Sequence, residues 1–344
     1  MALPLVRRAT GASGRSSRFV ALIAQAAYHL DELVPLGVAL ERRGVRSELW
    51  VTEPLRTRGG RLRPVVRRQR ATIERIDGAI GPAESPPIAS CSAVVVMNDW
   101  SALTRPIVRA AQAAGTPTFG WVEGAQDFTD AEGPVRRHPY RSVDHVLALG
   151  DDSAQYFQDR AVTIVGGRRL WAIWQTSVRG IPDRLAAVNS NFTYRVLEEA
   201  RRPWLRSVHQ ACARANMPSV VSQHPAEQAL VRPRRTSREP VADLLTTHSV
   251  LISRFSTVCF EALVRGVTLA YHNPHGERMG TFVDPRGGFS VTSDTDELAS
   301  VLSNPARPRA EVRRLAEPFL RQHLRLDGGD PAERAANAVV EALR

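Results

Sequence analysis

The chain has 344 residues, 43% of them hydrophobic and 24% charged, which is the balance of an ordinary soluble globular protein. That length favours about two domains of roughly 100–200 residues and buries a core without disulfides or metal clusters, so collagen-like, disulfide-scaffold and intrinsically disordered classes are excluded. The formal net charge is +11 and all 46 basic residues are arginine; high-GC mutational bias accounts for the missing lysine, while the charge itself favours anionic partners.

The apolar run Phe19–Ala27 follows a basic N-terminal stretch without a small-residue cleavage site, so it reads as a first buried strand and not as a signal segment. No stretch reaches about 18 apolar residues, and no membrane-spanning helix is expected. Strand Phe19–Ala24 leads into helix His29–Arg43, which stops at Gly44, and Arg46–Val51 forms a second strand. Between Pro54 and Arg75 stand eight arginines against one acid, Glu74. This segment reads as a solvated loop, a contact with anionic membrane at roughly 1 kcal/mol per charge, or a contact with an anionic acceptor; lacking aromatic residues, it does not suit nucleic acid.

Ala93–Met97 is a β-branched run typical of a strand buried on both faces. Helix Thr104–Ala114 and strands Thr116–Trp121 and Val143–Leu149 complete the first half. The second half offers strands at Val162–Val165, Ala186–Asn189, Ser219–Ser222, Val250–Ser253, Thr268–Tyr271 and Phe289–Thr292, with helices at Arg195–Asn216, Val241–Thr246, Thr257–Arg265 and Thr295–Leu302. Such alternation predicts an α/β fold with parallel sheets: two Rossmann-like domains facing a cleft, at 1–150 and 151–308, joined through Gly150–Gln175. Segment 309–344 reads as two helices broken at Asp327–Pro331. Cys91, Cys212 and Cys259 are scattered and odd in number, as reduced core residues of a cytoplasmic protein are.

Ser249–Pro274 reads as strand, tight loop, helix, Gly, strand. Ser256 and Thr257 stand where the helix begins, at the carboxyl end of a strand, and hydroxyls there suit a phosphate. Glu261, one turn on, is placed to accept ribose hydroxyls; the alternative is that Ser256 merely caps the helix and Glu261 pairs with an arginine. Ser222-Gln223-His224-Pro225 follows another strand. Pro225 keeps His224 extended, aiming an imidazole at a phosphate oxygen or leaving group. In the first half, Asn98-Asp99-Trp100 and Glu123-Gly124 end strands and face the same cleft; Asp99 is expected to cap the following helix.

The stretches Val220–Pro225, Ile252–Leu263 and Thr163–Leu170 resemble the nucleotide-binding half of GT-B fold glycosyltransferases of bacterial surface and capsular polysaccharide synthesis. They are most similar to the branch that pairs an HP motif with a Ser/Thr motif, including GT-B sialyl- and Kdo-transferases and CDP-glycerol glycerophosphotransferases. The resemblance covers roughly Leu149–Ser303. Gly167 and Arg168 replace the family's Ser and Pro at the linker turn.

The resemblance implies a metal-independent enzyme without cofactor that takes a nucleotide sugar as substrate. His224, Ser256 and Thr257 would bind the donor phosphate, Glu261 the ribose, and Glu123 would be the general base. His29, after the first strand, is the rival base. The acceptor would be a surface polysaccharide or glycolipid, the setting cytoplasmic or peripheral at the inner membrane face. A CDP-polyol phosphotransferase, a non-hydrolysing nucleotide-sugar epimerase and a non-catalytic binding protein are the alternatives. Asn191-Phe192-Thr193 matches a glycosylation sequon without meaning in a cytoplasmic chain, His272 and His275 lack further metal ligands, and the Gly/Ser content of Thr10–Ser17 reads as a tail.

Overall fold

A computed structural model describes residues 18–51, 74–76, 88–102, 104–133, 135–180, 182–193, 195–222, 236–237 and 239–344. Among them, strands β1 (Phe19–Ala24), β2 (Ser47–Val51), β3 (Glu74–Ile76), β4 (Cys91–Val96), β5 (Thr118–Trp121), β6 (His145–Ala148) and β7 (Ala161–Ile164) form a first sheet in the order β3-β2-β1-β4-β5-β6-β7. A second sheet runs β10 (Thr236–Ser237), β9 (Ser219–Ser222), β8 (Asp183–Asn189), β11 (His248–Ser253), β12 (Thr268–His272), β13 (Ser290–Thr292). The strand pairs are parallel in both sheets. In each sheet the order reverses beside the first strand, between β1 and β4 and between β8 and β11; these are topological switch points, where open α/β sheets hold ligands beyond the carboxyl ends of their strands.

The side-chain period of two divides β1 between two cores. Phe19, Ala21 and Ile23 enter one, while Val20, Leu22 and Ala24 enter the other, so every residue of the strand is apolar and buried. The first of these cores continues into the second sheet through Ala187, Leu251, Leu269 and Tyr271. The opposite face of that sheet packs separately, with Val188, Ile252 and Ala270 against Trp204 and Val208 of helix α5 (Arg201–Arg214).

The remaining helices are α1 (Leu30–Arg42), α2 (Thr104–Ala113), α3 (Asp151–Ala154), α4 (Arg168–Trp174), α6 (Val241–Leu244), α7 (Val258–Val264), α8 (Thr295–Ser303), α9 (Arg309–His323) and α10 (Pro331–Ala342). The two C-terminal helices part company. Phe319 of α9 packs on Phe260 of α7, whereas the alanine-rich α10 returns to α1, with Ala332, Ala335 and Val339 in the same core as Leu33, Leu36 and Leu40.

Three expectations need correction. Strand β7, placed by the sequence in a second domain starting at 151, pairs with β6 and closes the edge of the first sheet. The helix expected from Arg195 forms only from Arg201, because Arg195 and Leu197 take positive φ angles of 63° and 54°. Asp99 caps no helix, as shown below. Much of the arginine-rich stretch 54–75, the His224 motif and the tail Thr10–Ser17 lie outside the described residues. The three cysteines are buried, and in the sequon Phe192 is buried while the half-buried Asn191 donates its Nδ2 to Phe255 O at 2.7 Å.

Glu32 of α1 ties the first domain to the linker. Its buried carboxylate accepts from the main-chain N–H of Arg168 at 2.7 Å and of Arg169 at 3.1 Å, at the start of α4. Burial pushes this carboxyl up from 4.5 to about 7, against the opposing pull of those amides and of the Arg168 charge. A folded-state pKa above the unfolded value gives stability that is full below pH 4.5 and is lost as pH rises through 7. The Tm of Glu32→Gln minus that of the wild type is therefore expected to increase between pH 4.5 and 7 and level off above, read from melts across pH 4–8; a difference flat across that range contradicts it.

Candidate active site

The chain after β1 turns through a 3-10 segment, Ala27–His29, into α1. His29 is 1% exposed. Its Nδ1 accepts from the main-chain N–H of Gln25 at 3.2 Å, which places the proton of the neutral ring on Nε2. Nε2 lies 2.8 Å from Glu123 Oε2 and donates to it. The Tyr28 hydroxyl donates to the same oxygen at 3.0 Å. Among the described residues Glu123 Oε1 receives only Gln126 Nε2, at 3.3 Å. The two residues that the sequence offered as rival bases therefore form one pair, with Glu123 as the hydrogen-bond acceptor and His29 as its donor.

Glu123 is held from beneath by Tyr140. The Glu123 main-chain N–H donates to the Tyr140 hydroxyl at 3.0 Å, and that hydroxyl donates to Met97 O at 2.8 Å. Tyr140 is fully buried, and its ring lies so close to β5 that a Cβ on Gly120 would fall 2.8 Å from Cδ1; only glycine fits there. Burial, then the neighbouring Glu123 charge, pushes the Tyr140 phenol well above its ordinary value. Tyr140 has φ +58°, and Asp99 holds its strained turn, accepting from Tyr140 N at 2.7 Å and Ser142 N at 2.6 Å. Helix α2 takes its cap from Ser101 instead, whose Oγ accepts from Thr104 N at 3.1 Å. Gln25 and Asn98 span the β1/β4 switch point, Asn98 Nδ2 donating to Gln25 Oε1 at 3.2 Å.

Across the cleft, Asn189 Nδ2 donates to Ser253 Oγ at 3.0 Å, spanning the β8/β11 switch point. Ser256 is half-buried, and its Oγ meets Val258 N at 3.4 Å as a long cap contact at the start of α7. The Thr257 hydroxyl accepts from the main-chain N–H of Ala125 in the first domain, at 3.0 Å. Glu261 is 1% exposed, and its carboxylate is engaged by Arg169 and Arg265, the alternative the sequence left open for it. Just behind this edge, Arg254 is paired with Glu277 in the interior, lies over the Phe192 ring, and donates to Asn191 O at 2.9 Å. The Tyr271 hydroxyl donates to Glu277 Oε2 at 3.0 Å.

His272 is fully buried between Thr292 and Ser207 hydroxyls at 2.9 Å each. Burial, then the nearby His275, lowers it to about 4; burial, then the Arg254 charge, does the same to His275. Among the described residues no group of three His, Cys, Asp or Glu is gathered to hold a metal ion, and no helix is long and apolar enough to cross a membrane.

Sequence reasoning missed Tyr140, Tyr28 and the Thr257–Ala125 contact. Tyr140→Phe leaves the Glu123 N–H and Met97 carbonyl unpaired in the interior and is expected to cost about 1–3 kcal/mol, read from the denaturant midpoint at unchanged m-value; no shift in midpoint contradicts the role given to this hydroxyl.

Scans against protein-family models and curated protein sequences find no match. Solved structures do match over nearly the whole chain. A Methanocaldococcus jannaschii UDP-GlcNAc 2-epimerase in complex with UDP-GlcNAc and UDP aligns with a TM-score of 0.62 at 10% identity, over 94% of this chain and 99% of that one. The wall teichoic acid polymerase TagF aligns at 0.58 and 12%, over 96% and 89%. Arabidopsis thaliana UGT89C1 complexed with UDP aligns at 0.60 and 13%, over 95% and 99%. At such identities the likeness is one of fold, and with the two parallel sheets above it gives this chain the GT-B architecture of two Rossmann-like domains.

Proposed function

We propose that the protein is a glycosyltransferase that moves a sugar from a nucleotide-activated donor to a hydroxyl of a surface polysaccharide or glycolipid. The observation that carries this reading is the Glu123 carboxylate. It stands at the carboxyl end of a first-domain strand, is oriented by His29 and Tyr28, and lies next to the turn that meets the start of α7 in the second domain. That is where a base must stand if the second domain holds the donor. Likeness of fold to proteins whose structures hold UDP, UDP-GlcNAc or CDPG supports a nucleotide donor.

In this reading the acceptor hydroxyl gives its proton to Glu123 as its oxygen attacks the anomeric carbon. The bond from that carbon to the phosphate oxygen breaks, and the nucleotide leaves with the electron pair. Oε2 already accepts from two donors, so Oε1, with one long bond from Gln126, takes the proton. His29 acts through Glu123: with Nδ1 occupied and the Nε2 proton pointing at the carboxylate, the ring orients the base and does not relay the proton. Ser256 and His224 are the groups assigned to the departing phosphate; Glu261, engaged by two arginines, is left out of the ribose role.

A nucleotide-sugar epimerase that removes and returns a proton at one carbon from opposite faces requires two acid–base groups. Asp99, beyond the end of the neighbouring strand, is buried on main-chain amides and is not available as the second of them.

The test combines binding and turnover. One of CMP, CDP, UDP or GDP is expected to raise the Tm, with a gain of about 2.7 kcal/mol at a hundredfold excess over Kd. Glu123→Gln should keep that shift and lower kcat about 10²–10⁴-fold. Full turnover in Glu123→Gln removes it as the base, and no shift with any nucleotide removes the donor site.

A further inference from the structure

Glu123 is followed by two residues that meet the second domain at Thr257 through their main chain. Gly124 is buried, and a Cβ built there would lie 2.7 Å from Thr257 Cγ2 and 2.9 Å from Thr257 Cβ, distances that non-bonded carbons do not adopt. Ala125 then donates its N–H to Thr257 Oγ1 at 3.0 Å. The turn carrying the candidate base thus lies directly on a β-branched side chain of the opposite domain, whose χ1 is stiff. A second bond crosses the same cleft nearby, from Arg278 N–H to Glu132 Oε1.

We infer that Thr257 is an interdomain latch that positions the Glu123 turn, and that Gly124 is the steric condition for the latch to close; this rests on Glu123 being the base. Closure and base placement then become one event. Tyr140 fixes the Glu123 N–H from within the first domain, but the peptide after Glu123 is fixed only when the second domain delivers the Thr257 hydroxyl. In an open cleft the Ala125 N–H faces water and the carboxylate is held on one side only. The proposal gives Thr257 this interdomain role in place of the donor-phosphate role that its place at the start of α7 suggested.

Hydrogen–deuterium exchange on the intact protein, with and without the stabilising nucleotide, tests the latch apart from activity. Thr257→Val keeps the shape and loses the acceptor; peptides covering 123–127 are expected to exchange at least tenfold faster, while peptides from β1 and β11 stay protected and show the fold intact. Thr257→Ser, which keeps the hydroxyl, should exchange as the wild type does. Gly124→Ala should deprotect both 123–127 and 256–262 and increase the radius of gyration in solution scattering. In turnover, Thr257→Val should lower kcat and leave the nucleotide Tm shift unchanged.

Wild-type protection of 123–127 in Thr257→Val overturns the latch, and so does a loss of the nucleotide shift in that variant with 123–127 still protected, which makes Thr257 a donor ligand. If no nucleotide binds and no transfer occurs while the exchange pattern appears as stated, the latch stands and the transferase reading falls.

Discussion

The Tyr140 hydroxyl is the point on which the candidate site depends. It accepts from Glu123 N–H and donates to Met97 O, so one buried oxygen joins the ends of β4 and β5. Reaching that position requires an unusual backbone. A non-glycine residue at φ +58° is costly, and the Asp99 carboxylate offsets that cost by accepting two main-chain N–H groups of the turn. Burial, the largest influence on Asp99, raises its carboxyl pKa while those amides pull it down. Trp100, Phe128 and Phe157 close around the ring at centroid distances of 5.4, 6.4 and 6.2 Å, and Gly120 gives it room on the sheet. The carboxylate that projects from this platform is therefore rigid at its backbone and adjustable only in its side chain, which His29 and Tyr28 then fix.

The two domains are less independent than their separate sheets imply. One apolar core runs from Ile23 and Val96 through Leu149, Phe157 and Leu170 to Phe260 and Phe319, and around it polar contacts tie the same junction. Glu32 holds the start of α4, and Arg169, the second residue of α4, holds Glu261 in α7. A buried carboxylate that has lost a partner is costly, so moving α4 away from α7 leaves Glu261 with Arg265 alone. The linker helix is thus a strut between α1 and α7, and its Arg169 contact with Glu261 lies one turn from Thr257 at the start of α7.

How much of this was legible in the sequence follows from the range of each interaction. Buried parallel strands are continuous apolar runs, and β1, β4 and β11 announce themselves as FVALIA, CSAVVV and HSVLIS. Pairing partners are not written locally: Ala161–Ile164 is a plain short strand, and nothing in its residues says that it joins β6 instead of opening the next sheet. The start of α5 is hidden because arginine and leucine carry no signal for the left-handed angles that Arg195 and Leu197 adopt. His29 and Glu123 were visible separately, as polar residues just beyond strand ends, but their pairing spans 94 residues and the choice between them was open. Arg265, four residues from Glu261, could be read from helical spacing, whereas Arg169 could not. The role of Tyr140 has no sequence signal at all, since it depends on a turn held by an aspartate 41 residues earlier.

Both switch points carry a side-chain amide bridge, Asn98 to Gln25 in the first sheet and Asn189 to Ser253 in the second. These bridges pair side-chain amides beside the sheet ends. In the first domain Glu123 Oε1 receives one long bond from a glutamine while its sister oxygen receives two shorter ones. An incoming hydroxyl that displaces Gln126 meets the less encumbered oxygen of a carboxylate whose other contacts need not change. A site organised in this way spends its hydrogen bonds on holding the carboxylate still and keeps one acceptor position for an incoming donor.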